Sequence, residues 1–231
     1  MPVIKSRNTE IAGNPEICKN HSAMSNVSTA YNQWAEQYDT NKNRTRDLEA
    51  ISLRAALADL NFQHCLEIGC GTGKNTEWLL TKTGRITAVD LSEGMLAKAR
   101  EKITNQQVQF IPADITKQWD FIKERVDLAT FSLVLEHIED LDAVFSQLSQ
   151  VMAPNGYVYV GELHPFKQYS GTKARYETEE GLQIVTCYNH HVSEFFQAAK
   201  KNGFQLINLQ EWFDDDNKDL PRILSMIFQY Q

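Results

Sequence analysis

The run Leu66-Glu67-Ile68-Gly69-Cys70-Gly71-Thr72-Gly73 constrains this chain more than any other segment. A short apolar strand that leads straight into three alternating glycines and then a helix is a nucleotide-binding arrangement. Glycines permit the sharp turn and let a ligand approach the backbone, and the helix start offers unsatisfied N–H groups. A dinucleotide site would read GxGxxG with an acid about 20 positions further on. Here the third glycine comes one position early, at Gly73, and Lys74 stands where that pattern needs glycine. Asp90 suits either ligand class as a ribose-binding acid. Glu67 separates them, because a pyrophosphate gains nothing from a carboxylate there, whereas the ammonium of an amino-acid-bearing ligand gains a favourable field.

Five apolar runs carry the pattern onward: Cys65–Ile68, Ile86–Val89, Val108–Ile111, Leu128–Phe131 and Tyr157–Gly161. Helical stretches separate them. One is capped by Ser92, with Met95, Leu96, Ala99 and Ile103 on one side, and another is Asp140–Met152, capped by Asp140. Asn155-Gly156 supplies the turn before the fifth strand. The alternation predicts an α/β fold with a parallel sheet covered on both faces. Val192–Asn202 reads as a helix capped by Ser193 and stopped by Gly203. The runs Phe204–Leu209 and Ile223–Tyr230, joined by the acidic loop Asp214-Asp215-Asp216-Asn217, read as an antiparallel pair at one edge.

With 231 residues, 42% of them hydrophobic, the chain suits one domain over residues 28–231. Residues 1–27 are polar and aperiodic and read as a flexible extension, and residues 164–191 as an inserted lid on the substrate side. The net charge of −7 and the lack of a long basic run disfavour nucleic acid as a partner. Lys42, Arg44 and Arg46 read as a solvated face. Cys18, Cys65, Cys70 and Cys187 show no metal or disulfide framework. The start lacks an apolar signal core and no window suits a membrane span, so the expected location is the cytoplasm.

Glu67–Gly73, Asp90-Leu91-Ser92-Glu93-Gly94-Met95-Leu96, Ala113-Asp114-Ile115 and Leu133-Val134-Leu135-Glu136-His137-Ile138 resemble successive motifs of class I S-adenosylmethionine-dependent methyltransferases. The likeness is to the small-molecule branch that includes ubiquinone/menaquinone- and biotin-pathway enzymes, whose N-terminal helix Tyr31–Asp39 also resembles. It covers roughly residues 28–162. The resemblance implies a Rossmann-like, doubly wound, seven-stranded sheet, mostly parallel, with its last two strands antiparallel. It implies S-adenosyl-L-methionine as cofactor and carries roles to these positions. Glu67, Gly69 and Gly71 would take the methionine part, and Asp90 the ribose hydroxyls. Leu91 and Met95 would sandwich the adenine, beside Asp114 and Ile115. Phe131 and Ser132 would border the methyl group, with Tyr31, Trp34, Tyr38 and Arg46 as a lid.

Methyl transfer is an in-line displacement at a carbon already activated by positive sulfur. Alignment therefore matters most, and a base is needed only where the acceptor must lose a proton. Glu162 and His164 follow the fifth strand, His190-His191 opens the C-terminal helix, and His137 follows the fourth strand. His164, His191 and Glu162 are the preferred catalytic candidates. No third ligand accompanies the histidine pair, so no metal is expected. The expected partner is a small-molecule methyl acceptor. The motif that marks nucleic-acid amino-methylation is replaced by Phe131-Ser132-Leu133-Val134. A non-catalytic S-adenosylmethionine-binding module and a nicotinamide-dependent oxidoreductase are the alternatives.

Overall fold

The computed structural model describes residues 24, 25, 27–178 and 181–231. The remainder of the N-terminal extension, with Cys18, lies outside the described residues. The chain runs β1 (Met24–Ser25), α1 (Val27–Trp34), α2 (Arg44–Leu57), β2 (Cys65–Ile68), α3 (Lys74–Leu79), β3 (Ile86–Asp90), α4 (Glu93–Lys102) and β4 (Val108–Pro112). It continues through β5 (Val126–Ser132), a 3-10 turn (Leu135–His137), α5 (Leu141–Val151), β6 (Met152–Leu163), α6 (Pro165–Tyr169), β7 (Arg175–Thr178) and β8 (Gly181–Val185). It closes with α7 (Val192–Lys201), β9 (Phe204–Asp214) and β10 (Asn217–Tyr230).

The central sheet has the order β4-β3-β2-β5-β6-β10-β9. Its first five strands are parallel, and β10 runs antiparallel to both β6 and β9. This is the expected reversed edge, with both strands of the pair longer than their apolar runs. Every residue of β2 is buried, as a central parallel strand covered on both faces requires. One core layer gathers Phe131, Phe145, Leu148, Phe195 and Phe204, and the other gathers Leu53, Leu57, Leu79, Leu96 and Tyr159.

The caps follow their physical reading in two helices. Ser92 Oγ accepts from Met95 N at 3.1 Å, and an Asp140 carboxylate oxygen accepts from Ala143 N at 3.1 Å. The third differs: α7 is capped by His191, whose backbone N–H donates to Glu194 at 2.7 Å, rather than by Ser193. Asn155 adopts φ 62, yet the residues around it already pair, so Asn155-Gly156 makes a register shift inside β6 instead of preceding it.

The described residues also include regular structure before Ser28. Strand β1 pairs with β8, which pairs with β7, and this small sheet packs with α1. Trp34 stacks on Tyr176 at 5.5 Å, and Ala30, Met95 and Val185 close the same apolar cluster. Segment 164–191 and the N-terminal helix therefore meet over the C-terminal ends of the central strands. No helix among the described residues is long and apolar enough to cross a membrane.

Candidate functional site

A cavity of about 270 Å³ opens where the strand ends meet α1. Ligands of open α/β sheets bind at such strand ends. Its floor is the glycine turn. Gly69 has φ +71, and a side chain there would place its Cβ 2.1 Å from Val134 Cγ2. Gly71 has φ +54 and only open space beside it, so its backbone is bare toward the cavity. Gly71→Ala is therefore expected to cost stability by about 1–2 kcal/mol of left-handed backbone strain, while a ligand on the turn loses far more affinity. Thermal melts beside a binding titration check this, with Gly69→Ala as the variant that unfolds first.

Asp90 closes β3 and holds the turn in place. One carboxylate oxygen accepts from Gly71 N and the other from Ser92 N, both at 2.8 Å. Burial raises its carboxyl above the ordinary value, while those N–H groups oppose the rise. Each oxygen keeps a lone pair for a ligand hydroxyl. Leu91, Met95, Asp114 and Ile115 form the wall beyond Asp90. Asp114 is partly engaged already, accepting from Thr116 N at 3.0 Å and Thr116 Oγ1 at 2.6 Å, with Lys117 at 3.2 Å.

Ser132, Leu133 and Val134 line the opposite end, and Tyr31 and Tyr38 line the roof. The segment between α1 and α2 is tied to the glycine turn, because Thr72 Oγ1 donates to Asp39 at 2.7 Å and Lys102 pairs with the same carboxylate. Of the residues assigned from sequence, Gly69, Gly71, Asp90, Leu91, Met95, Asp114, Ile115, Ser132, Tyr31 and Tyr38 thus share one cavity.

Other assigned residues stand behind it. Glu67 is buried beneath the turn, outside the cavity lining, and its Oε2 accepts from Thr76 Oγ1 at 2.5 Å, which ties it to α3. Phe131 points into the core against Phe145, because side chains alternate along β5 and its neighbour Ser132 takes the cavity side. Arg46 donates to the carbonyls of Tyr38 and Asn41 and lies 3.9 Å over the Tyr38 ring. It fixes the roof from outside, as Trp34 does through Tyr176.

None of the three preferred catalytic candidates lines the cavity. His164 leaves β6 on the β10 side, caps α6 by accepting from Phe166 N at 3.1 Å, and meets Glu211 at 3.0 Å. His191 is exposed at the start of α7, 2.6 Å from the Tyr169 hydroxyl. Glu162 is fully buried, and its Oε1 accepts from Val134 N at 3.0 Å and Leu135 N at 2.8 Å. It holds the turn in which Leu133 takes φ 58. His190 is also structural, bonded to the Ile138 carbonyl at 2.7 Å.

The histidine that does reach the cavity is His137, on the turn that Glu162 holds. Its Nδ1 lies 2.7 Å from the Thr186 carbonyl, which can only accept, so the ring proton sits on Nδ1. Nε2 lies 2.9 Å from the Tyr31 hydroxyl, and in the Nδ1–H tautomer it accepts from that hydroxyl. Its neighbour Glu136 is buried, and its carboxyl is raised by that burial. The sequence signal for His137 was its place just after β5. Thr186 carried none.

Glu49, on α2, carried no signal either. Burial pushes its carboxyl up to about 7, and pushes Glu67 and Glu162 each to about 8. An acid whose folded value exceeds its unfolded one holds its proton more tightly when folded, so stability falls as pH rises between the two values. His64 and His164, both lowered by burial, oppose this trend only below their ordinary value of 6.5. The empty protein is thus expected to lose stability from about pH 6.5 to about pH 8, at up to about 1.4 kcal/mol per pH unit for each such proton. Urea unfolding at both ends of that window checks the sign.

Comparison with known proteins agrees with this geometry. Residues 66–160 match the family model described as "Methyltransferase domain". An uncharacterised methyltransferase of Emericella nidulans is 27% identical over 218 residues, which cover 78% of this chain and 76% of the relative. A biotin biosynthesis bifunctional protein of Cellvibrio japonicus is 29% identical over 80% of this chain, which spans only 36% of that longer protein. The fold matches an S-adenosylmethionine-dependent methyltransferase structure from Mesorhizobium loti with TM-score 0.64 at 22% identity, covering 80% of this chain and 99% of that one.

Proposed function

We propose that this S-adenosylmethionine-dependent methyltransferase moves the cofactor's methyl group onto a protic oxygen or nitrogen of a small-molecule acceptor, with His137 as the proton acceptor. The carrying observation is the Tyr31–His137–Thr186 chain, in which the Thr186 carbonyl engages Nδ1 and turns Nε2 toward the Tyr31 hydroxyl at the cavity roof.

S-adenosylmethionine supplies a methyl carbon activated by a sulfonium, and the residues present fit it. Asp90 offers two lone pairs to the ribose hydroxyls, and Leu91, Met95 and Ile115 give apolar walls for the adenine, with Asp114 at its edge. Gly69, Gly71 and Ser132 receive the methionine portion. An acceptor that takes the place of the Tyr31 hydroxyl sets its own O–H or N–H against His137 Nε2. Where the acceptor must lose a proton, His137 Nε2 would receive it, and the bound cofactor would supply the methyl carbon. Glu162 and Thr186 orient the ring without touching the reactants. Helix α1 and segment 164–191, which contains the β7–β8 pair, form the lid that excludes water on the acceptor side.

A small neutral acceptor suits the walls, because the described lining residues include no lysine or arginine. The net charge of −7 disfavours nucleic acid and an anionic membrane surface as partners. Cys65, Cys70 and Cys187 are free thiols, which supports a reducing, cytoplasmic setting. The test is a labelled-methyl screen of the purified protein against metabolite pools, beside titration with S-adenosylmethionine, S-adenosylhomocysteine and NAD. Tighter binding of NAD, or label transferred only to nucleic acid, would reject the reading.

A further inference from the structure

Behind Ser132, away from the proposed base, a closed ring of oxygens surrounds Glu49. Ser52 Oγ lies 2.8 Å from the Glu49 backbone oxygen. The Tyr159 hydroxyl lies 2.7 Å from Ser52 Oγ and 3.1 Å from Glu49 Oε1. Two hydroxyl protons serve these three oxygen–oxygen contacts, and a proton on the Glu49 carboxyl would complete the set. Burial favours that neutral form, pushing the carboxyl up to about 7, while the hydrogen bonds from Ser132, Asn75 and Tyr159 favour the carboxylate, so the group is poised between the two.

The other carboxyl oxygen faces the cavity wall. Asn75 Nδ2 donates to Glu49 Oε2 at 3.1 Å and to Ser132 Oγ at 3.3 Å, and Ser132 lines the cavity. The charged groups around Glu49 do not favour its ionised form. Glu67 on β2 and Glu162 on β6 are themselves buried acids, and Asp90 stands on β3. The cation acting on Glu49, Lys74, is paired with Asp47 at 2.6 Å and half-exposed. Gly161 keeps the arrangement tight, since a Cβ there would meet Glu49 Oε1 at 2.8 Å and the Tyr159 hydroxyl at 2.2 Å.

We propose that Glu49 is the buried counter-charge to the cofactor's sulfonium, protonated in the empty and product-bound protein and ionised when S-adenosylmethionine binds. This rests on the cofactor reading above, which lays the methionine portion against Ser132. A positive sulfur one hydrogen-bonded layer away favours the carboxylate, and the proton leaves to solvent. After transfer the sulfur keeps its electron pair and is neutral, so Glu49 takes a proton back from solvent. The ammonium and carboxylate of the ligand are common to cofactor and product, and the linkage therefore reads the sulfonium alone. It lets the site tell substrate from product by charge, and its preference for the charged cofactor grows with pH.

Calorimetric titration with S-adenosylmethionine and S-adenosylhomocysteine in phosphate and in Tris, at about pH 7, counts the protons exchanged. The charged cofactor is expected to release up to about one proton more than the product, and the affinity ratio between them to rise by up to about tenfold per pH unit between about pH 6 and 8. Glu49→Gln places an N–H where the carboxyl proton stands, so it completes the oxygen ring and is expected to fold. In it the proton difference disappears and the affinity ratio becomes flat. Equal proton counts and a flat ratio in the unmodified protein overturn the proposal, as does a difference that survives in Glu49→Gln. If neither nucleoside binds, the cofactor reading itself falls, which is a separate result from binding of both with equal proton counts.

Discussion

Replacing Asp90 with alanine is expected to weaken S-adenosylmethionine binding by at least about a hundredfold, at the 1.5–3 kcal/mol typical of each hydrogen bond to a charged group. Two losses act together. The ribose hydroxyls lose both acceptors, and the glycine turn loses the carboxylate that accepts from Gly71 N at 2.8 Å. Asp90→Asn separates them, because its one oxygen can still hold Gly71 while its NH2 group only donates and so accepts from no second hydroxyl. Asp114→Ala is expected to cost only about tenfold, the scale of one hydrogen bond. The Asp114 carboxylate already serves Thr116 and Lys117, so its free capacity is smaller. Isothermal titration of the three variants tests the order. Near-normal affinity in Asp90→Ala would remove Asp90 from the ribose.

Replacing His137 with glutamine is expected to lower turnover by about a hundredfold to ten-thousandfold, the usual span for a positioned acid–base group. Cofactor affinity should change little, because Asp90 and the glycine turn supply most of the polar contacts. His164→Ala is the contrasting variant. Its imidazole caps α6 and meets Glu211 outside the cavity, so turnover should persist and only stability fall. Glu162→Gln should resemble a weaker His137 variant, since Glu162 holds the Val134 and Leu135 N–H groups that set the turn. Single-turnover rates with any acceptor found in the methyl screen decide the matter. Unchanged turnover in His137→Gln, or loss in His164→Ala, would reverse the assignment.

Much of this protein was legible in its residues because the relevant rules are local. A strand that ends in Gly69, Gly71 and Gly73 needs positive φ at each, and the backbone supplies it. Asp90 and Asp114 follow strands whose ends must lie at one edge of a parallel sheet. Met95, Leu96 and Ala99 share a helix face by spacing alone. The reversed β9–β10 edge follows from two runs joined by a loop too short for a crossover.

The chemistry at the far end of the cavity was not local. His164, His191 and His137 all sit just beyond regular elements, and their spacing in sequence is silent about which way each ring turns. The direction was decided by what leaves the sheet beside what: β6 exits against β10, so His164 faces Glu211, whereas the turn after β5 exits against α1, so His137 meets Tyr31. Glu49 is a helical residue 83 positions from Ser132 in the chain, and only the packing of α2 over β6 brings them together. The glycine turn and Asp90 were thus determined by the sequence, through backbone geometry that any chain with these residues must adopt. Tertiary packing alone decided which histidine lines the cavity and which buried acid stands behind Ser132, because burial and hydrogen bonding depend on neighbours distant along the chain.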